Sequence, residues 1–415
     1  MSHLSMKNLM ILLTSLLVIA ACSKQSSPTP PVTAPVSDSF TVTVNNGYGG
    51  GKFKAGDTVH IFSAAYAVNQ VFNSWAGSDI SLLDDKDEWH TWLIMPAKNV
   101  SFTGSVTTIS SFSLQFEQIR GRDRMKPVYY YFPANHKGIV YLLHGTGGNA
   151  ANVANSFEFQ LLTRDLVNNG LAVIITEAEE ATTGIYANGD GKLRWSTTPW
   201  DTTTNVDYAN IRIITDTFYH RGLTDRSKPL YSVGMSNGGN FSASLGTIYH
   251  FKAAVSYCAP AGGPIAQTST TPIQFCMARY DNNENVGPAG NANALANSQT
   301  LSGRGICSKY LINEHSPLYP ERFARRGDIS IAQSAAVFNE LKSKGFLDSR
   351  NYFIGYSPDL VTAYQANPAS FPSLNSLTIL QRYYVTQEID LAVADHQMYS
   401  DYNRATLKFL NTQCQ

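Results

Sequence analysis

A chain of 415 residues is long enough for two domains and a sizeable core. Its 31 basic and 31 acidic side chains cancel to a formal net charge of +0, and charged residues make up only 15% of the chain. No basic patch stands out, which argues against nucleic acid as a partner. Aromatics reach 11%, with 22 Tyr, which suits a wall of rings facing sugars or aryl groups, but suits an ordinary β-rich exported protein better.

The N-terminus reads as a targeting segment. Lys7 precedes the apolar run Leu9-Met10-Ile11-Leu12-Leu13, which continues through Leu16-Leu17-Val18-Ile19 and ends in small residues. A positive start, a short apolar stretch and small residues before a cut site predict a signal peptide over 1–21, too short for a comfortable membrane span. The ending Ile19-Ala20-Ala21-Cys22 resembles a bacterial lipobox. That resemblance implies cleavage before Cys22, lipid on its sulfur, and attachment to a membrane of the cell envelope, outer membrane or otherwise. Residues 22–39 are rich in Ser, Pro and Thr; such a stretch cannot build a core and predicts an extended tether.

Residues 40–107 predict a small β domain. Phe40-Thr41-Val42-Thr43-Val44 alternates with period two, and Asn45-Asn46-Gly47 turns the chain. Further strands are expected at Thr58–Phe62, Phe72–Trp75 and Thr91–Met95. The order of a strand, Gly49-Gly50-Gly51, Ala55-Gly56-Asp57-Thr58-Val59, a Trp-bearing strand and Met95-Pro96-Ala97-Lys98-Asn99-Val100 resembles the divergent InlB B-repeat, a ubiquitin-like β domain of bacterial surface proteins. The resemblance implies a spacer or adhesion module.

From Leu114 onward strands and helices alternate. Gly138–Leu143, Leu171–Thr176, Leu230–Gly234, Ala253–Tyr257 and Ile273–Met277 are apolar runs, as strands buried on both faces should be. Helical stretches are expected at Phe157–Asn169, Asp207–His220, Ile331–Lys344 and Asp401–Leu410. This alternation predicts an α/β domain with a mostly parallel sheet and helices on both faces. The Asn-, Gly- and Ala-rich segment 282–326 breaks the rhythm and reads as an insertion near the site rim, and a final strand is expected within Leu380–Glu388. Cys258, Cys276, Cys307 and Cys414 can pair in three ways, and the sequence does not choose among them. No CxxC and no His/Cys cluster calls for a metal, and no cofactor is expected.

The chemistry centres on Gly234-Met235-Ser236-Asn237-Gly238. A serine hydroxyl is a poor nucleophile unless it is exposed beside a base. A strand–turn–helix with glycine two places either side gives that exposure, because neither neighbour carries a side chain into the turn. Ser236 is therefore the expected nucleophile. Leu142-Leu143-His144-Gly145-Thr146-Gly147-Gly148 ends an earlier strand in a glycine-rich loop that can aim a backbone N–H at a developing oxyanion. Thr146 is preferred over Gly147 as that donor, with Asn237 as the second; His144 reads as structural. Glu177, Glu179 and Glu180 follow a strand end and read as a solvated loop. Trp195 stands on a loop where a ring could stack on substrate, and core burial suits it equally.

With these motifs, residues 114–415 resemble an α/β-hydrolase, and the spacing of His144-Gly145-Thr146-Gly147-Gly148, the Ser236 elbow and a late His is similar to secreted feruloyl esterases, acetylxylan esterases and polyhydroxyalkanoate depolymerases. The resemblance implies the order serine, acid, histidine. His315 and His396 both follow Ser236, and His396, just before the terminal helix, is the better base. Asp281, at the end of the strand before the segment 282–326, is the expected acid; Glu284 is its rival, because Ala278-Arg279-Tyr280-Asp281 lacks the glycine usual in the family. Asp390 and Asp395 lie too close to His396 in sequence to be preferred. The implied activity is hydrolysis of carboxylic esters on a polymer or oligomer, such as feruloyl or acetyl esters of polysaccharide. A polyester depolymerase, a serine peptidase with the same triad, and a non-catalytic glycan-binding protein or adhesin are the alternatives.

Overall fold

The computed structural model describes residues 39–187 and 189–414. The predicted signal peptide, Cys22 and the tether up to residue 38 lie outside the described residues. Among the described residues seven strands come first: β1 (Phe40–Asn45), β2 (Gly47–Tyr48), β3 (Gly51–Phe53), β4 (Thr58–Ser63), β5 (Gln70–Ala76), β6 (His90–Ile94) and β7 (Val100–Thr108). They form two small sheets, of order β3-β1-β7-β5 and β2-β4-β6. Val42, Val59, Ile61, Phe72, Trp75 and Phe102 fill the space between them. The pairing of β1 with β7 is parallel, Val42 opposite Val100, so the first and last strands of the module close on each other.

The larger part carries eight strands: β8 (Gln115–Arg120), β9 (Met125–Tyr131), β10 (Ile139–Leu143), β11 (Ala172–Ile175), β12 (Leu230–Met235), β13 (Ala253–Tyr257), β14 (Ile273–Ala278) and β15 (Ser308–Asn313). Their order is β8-β9-β11-β10-β12-β13-β14-β15, antiparallel only where β9 meets β8 and β11. The strand order reverses about β10, and loops at the carboxyl ends there open a crevice. Among the described residues twelve α-helices accompany the sheet: α1 (Ala150–Asn155), α2 (Phe157–Asn168), α3 (Glu179–Thr183), α4 (Val206–His220), α5 (Asn237–Tyr249), α6 (Gly263–Thr268), α7 (Gly287–Gly303), α8 (Ile331–Ser343), α9 (Ser357–Ala366), α10 (Pro372–Asn375), α11 (Ile379–Val393) and α12 (Asn403–Thr412).

Alternation along β10 explains the layers. Val140 and Leu142 face α2 and α12, meeting Leu162, Leu166, Leu407 and Phe409. Ile139, Tyr141 and Leu143 face α4 and α5, meeting Ile211, Phe218, Phe241 and Leu245. Every residue of β10 and β11 is buried, which is why both read as continuous apolar runs.

Two sequence expectations are corrected. The segment 282–326 is no irregular insertion: it supplies α7 and β15, the latter extending the sheet in parallel register with β14. The inward side of α7 is Gly290, Asn291, Ala294, Ser298 and Leu301, helical in spacing but mostly small or polar, so no apolar period announces it. The strand expected within Leu380–Glu388 is instead the first part of α11. Thr378 accepts from the Gln381 N–H while the Gln381 side chain takes the Thr378 N–H, a reciprocal cap that starts a helix. Tyr384, Val385, Glu388, Ile389 and Ala392 then turn inward at helical intervals. The β module packs against the larger part: residues from Ser39 onward form one compact unit, and Tyr319 of the larger part stacks on Tyr48 with ring centroids 5.1 Å apart. Of the four later cysteines, Cys307 and Cys414 are joined, and Cys258 and Cys276 are free and buried.

Candidate active site

Ser236 sits between β12 and α5 with φ +57° and ψ −123°. A non-glycine residue there is strained, and the surroundings must hold it. A methyl on Gly234 would lie 2.0 Å from the Gly238 carbonyl oxygen, and one on Gly238 would lie 2.3 Å from the His144 carbonyl oxygen. Both contacts are backbone, so only glycine fits. The Ser236 N–H donates to the Tyr257 carbonyl at 2.8 Å, and its carbonyl accepts from Gly239 N–H at 2.8 Å, which starts the helix.

The neighbouring loop after β10 is fixed from below by His144. Its Nδ1 donates to the Gly145 carbonyl at 2.7 Å, and its Nε2 accepts from the Ala178 N–H at 3.0 Å. That network assigns the neutral tautomer. Burial of the ring pushes its pKa down to about 4, in keeping with a structural histidine. The Gly147 N–H donates to the Leu193 carbonyl at 2.7 Å and so is occupied. The N–H groups of Thr146 and Asn237 have no partner among the described residues, which favours this pair as donors to an oxyanion.

Trp195 is corrected as a substrate-stacking residue. It is 1% exposed, its Nε1 donates to the His144 carbonyl at 3.0 Å, and its ring stacks on Phe241 at 4.5 Å. Its backbone serves the site instead. The Trp195 N–H donates to Asn237 Oδ1 at 2.7 Å, and Asn237 Nδ2 donates back to the Trp195 carbonyl at 3.2 Å. This clamp occupies the Asn237 side chain and leaves its main-chain N–H unengaged among the described residues. The glutamates after β11 are not solvated ornaments either: Glu177 accepts from Ala150 N–H at 3.1 Å, and Glu180 accepts from Arg194 N–H at 2.8 Å.

The acid and base meet from opposite ends of the C-terminal half. Asp281, 2% exposed, accepts from His396 Nδ1 at 2.7 Å through Oδ2 and from Asn283 N–H at 3.0 Å through Oδ1. Asp395, which sequence proximity had set aside, has a different task. Its Oδ1 accepts from both Asn282 N–H at 2.9 Å and His396 N–H at 2.7 Å, stitching the acid loop to the histidine loop. Tyr280 N–H donates to the Ala394 carbonyl at 3.0 Å and adds a second stitch. Ala394 ends α11 with φ +61°, the left-handed turn that swings the chain toward the site.

Neither rival takes part in the Asp281–His396 pair. Glu284 is exposed and pairs with Lys192 at 2.7 Å, and His315 contacts the rings of Tyr280 and Tyr352. Ser236 and His396 line one cavity of about 730 Å³, together with Thr146, Arg194, Asn240 and Glu284. Cys258, with φ +47°, was not foreseen. Its thiol donates to the Gln397 carbonyl at 3.3 Å, and its sulfur, an Asp281 oxygen and a His396 nitrogen lie within 4.8 Å of one another. Three such donors could in principle hold a metal. Here the carboxylate and imidazole hydrogen-bond each other, and burial pushes the thiol pKa well up, so each donor already carries or shares a proton.

No family model and no curated protein matches this sequence. The chain is similar to the dienelactone hydrolase from Anabaena variabilis, at 16% identity over 48% of this chain and 85% of that one, with a TM-score of 0.35. It is similar to a Bacillus cereus carboxylesterase, at 17% identity over 46% and 84%, with a TM-score of 0.32. It is also similar to the Pyrococcus horikoshii acylaminoacyl peptidase, at 10% identity over 62% and 43%, with a TM-score of 0.36. The chain's own strand order, its antiparallel second strand and the strand–helix turn at Ser236 define an α/β-hydrolase fold.

Proposed function

We propose that this chain is a serine hydrolase of carboxylic esters, exported and lipid-anchored at Cys22, acting on feruloyl or acetyl esters of polysaccharide. The observation that carries the reading is the Asp281–His396 hydrogen bond of 2.7 Å, which delivers an oriented imidazole to the cavity that Ser236 lines. In this reading Ser236 Oγ attacks the ester carbonyl carbon as His396 takes its proton. The Thr146 and Asn237 N–H groups hold the resulting oxyanion. Collapse breaks the carbon–alkoxide bond, and His396 returns the proton to the departing alcohol. Water then repeats the sequence and frees the acid from Ser236. Asp281 holds the imidazole tautomer and stabilises the imidazolium. The polar rim of Asp190, Lys192, Arg194, Asn283 and Asn285 suits a hydroxyl-rich alcohol portion. The Cys307–Cys414 bond suits an oxidising compartment outside the cytosol.

A fluorophosphonate probe tests the nucleophile. The intact protein is expected to be labelled and Ser236→Ala not. His396→Ala is expected to lower kcat on p-nitrophenyl acetate on the order of 10⁴-fold or more with little change in folding. Labelling that survives Ser236→Ala would overturn the reading. Hydrolysis of peptide amides but not of feruloylated or acetylated xylo-oligosaccharides would move the activity to a peptidase, and cleavage of polyester alone to a depolymerase.

A further inference from the structure

We propose that the β module is a working part of the active site: His90 and Glu88 are positioning residues that hold the segment carrying His396. The inference rests on the Ser236–His396–Asp281 reading and extends it to a part of the chain that touches no reacting atom.

The geometry runs as a short relay. His60 on β4 and His90 on β6 join through Nδ1 and Nε2 at 3.0 Å. The other nitrogen of His90, Nδ1, is hydrogen-bonded to Asp401 Oδ2. Asp401 is acceptor-only when ionised, so His90 Nδ1–H donates to it. Both side chains of the His90–Asp401 pair are over nine-tenths buried. Asp401 lies five residues after His396, on the same connection between α11 and α12.

Glu88 acts one step further along. It is 3% exposed, and its carboxylate accepts from the Ala405 N–H at 2.8 Å and from the Arg404 N–H at 3.3 Å. The carboxyl oxygens of Glu88 thus cap the N-terminus of α12, whose first N–H groups have no acceptor within the helix, while burial pushes the Glu88 pKa well up. In return, the Arg404 guanidinium donates to the Phe72 carbonyl of β5. A third seam closes nearby. Arg325 lies 4.0 Å over the Trp89 ring and pairs with Glu388 of α11 at 3.0 Å. Both helices that flank the histidine loop are therefore tied to the module, α11 through Arg325 and Trp89, α12 through Glu88. A loop fixed at both ends confines its imidazole. Displacement of a catalytic group by about 1 Å can cost on the order of 10²-fold in rate.

The test compares full-length variants in steady-state turnover of p-nitrophenyl acetate and in rate of fluorophosphonate labelling. His90→Leu and Glu88→Ala are expected to lower kcat about tenfold or more, with KM within about threefold and the labelling rate falling in step. His90→Asn, which restores an N–H near the Nδ1 position, is expected to recover most of the loss. A merely structural role would lower the amount of folded protein and leave kcat per labelled site unchanged. That result, or wild-type kcat in folded His90→Leu, overturns the proposal. Should either variant fail to fold, amide exchange on the unmodified protein decides: residues 396–402 are expected to open together with 88–92, and independent opening of the two overturns the proposal. An unlabelled wild-type protein would instead remove the hydrolase reading itself.

Discussion

Ser236 is held by its own chain neighbours, whereas His396 is held by groups drawn from across the chain. On the serine side, Gly234, Gly238 and the bonds of the elbow lie within a few residues of Ser236, with Tyr257 and His144 as the outside contacts. On the histidine side, Asp281 fixes the ring, Asp395 bonds the histidine N–H and the acid loop together, and the Cys258 thiol secures the next carbonyl. The difference teaches where each arm is fragile. Backbone constraint is all-or-none, since a clash between main-chain atoms has no flexible side chain to absorb it. Side-chain constraint is graded, because each removed partner loosens the arm without unmaking the fold.

Three changes break or sharpen this contrast. Gly238→Ala has the largest expected effect: its methyl would meet the His144 carbonyl oxygen at 2.3 Å, so folded, fluorophosphonate-reactive protein should be lost. Near-native circular dichroism with full labelling would contradict the all-or-none view of the serine arm. Asp281→Asn comes next. The isosteric amide leaves the fold standing but no longer enforces the Nδ1–H tautomer, so kcat should fall on the order of 10³- to 10⁴-fold while the melting temperature stays close to wild type. A kcat within about tenfold of wild type would mean that another group orients His396.

The smallest effect is on stability against pH. The folded pKa of His144 is lowered from 6.5 to about 4 by burial, so the folded protein excludes a proton that the unfolded chain binds. Its contribution is complete above about pH 6.5 and is lost as the pH falls toward about 4. Relative to His144→Asn, which cannot titrate, the wild-type protein should lose up to about 1.4 kcal/mol per pH unit across that window. Parallel urea midpoints for the two proteins would show that His144 is not held neutral.

The same contrast decides what the sequence discloses. The elbow is legible because its causes are local: glycine at fixed offsets between an apolar run and a helix. The paired carboxylate and imidazole are legible as types and approximate places, because strand ends and terminal loops recur at regular positions along the alternating pattern. Asp395 is not, since its role depends on two N–H groups 113 and one residues away. Nor is the burial of Trp195, whose partners Phe241 and His144 come from other elements. The helix α7 hides because its inward residues are small, and α11 because the aromatic and β-branched run Tyr383-Tyr384-Val385-Thr386 looks like a strand until the Thr378–Gln381 cap is noticed.

The outer margin of the large sheet has a further consequence. Among the described residues β15 pairs only with β14, so one side of it carries no neighbouring strand. Bare margins of this kind recruit strands from other molecules. Here Tyr402 takes the Ile312 carbonyl at 2.8 Å, and residues 311–314 look into a crevice roofed by Asp84, Thr91 and Trp92 of the β module. The module thereby shields the sheet from sticking to its own copies, and stripping it away should yield a protein prone to aggregation.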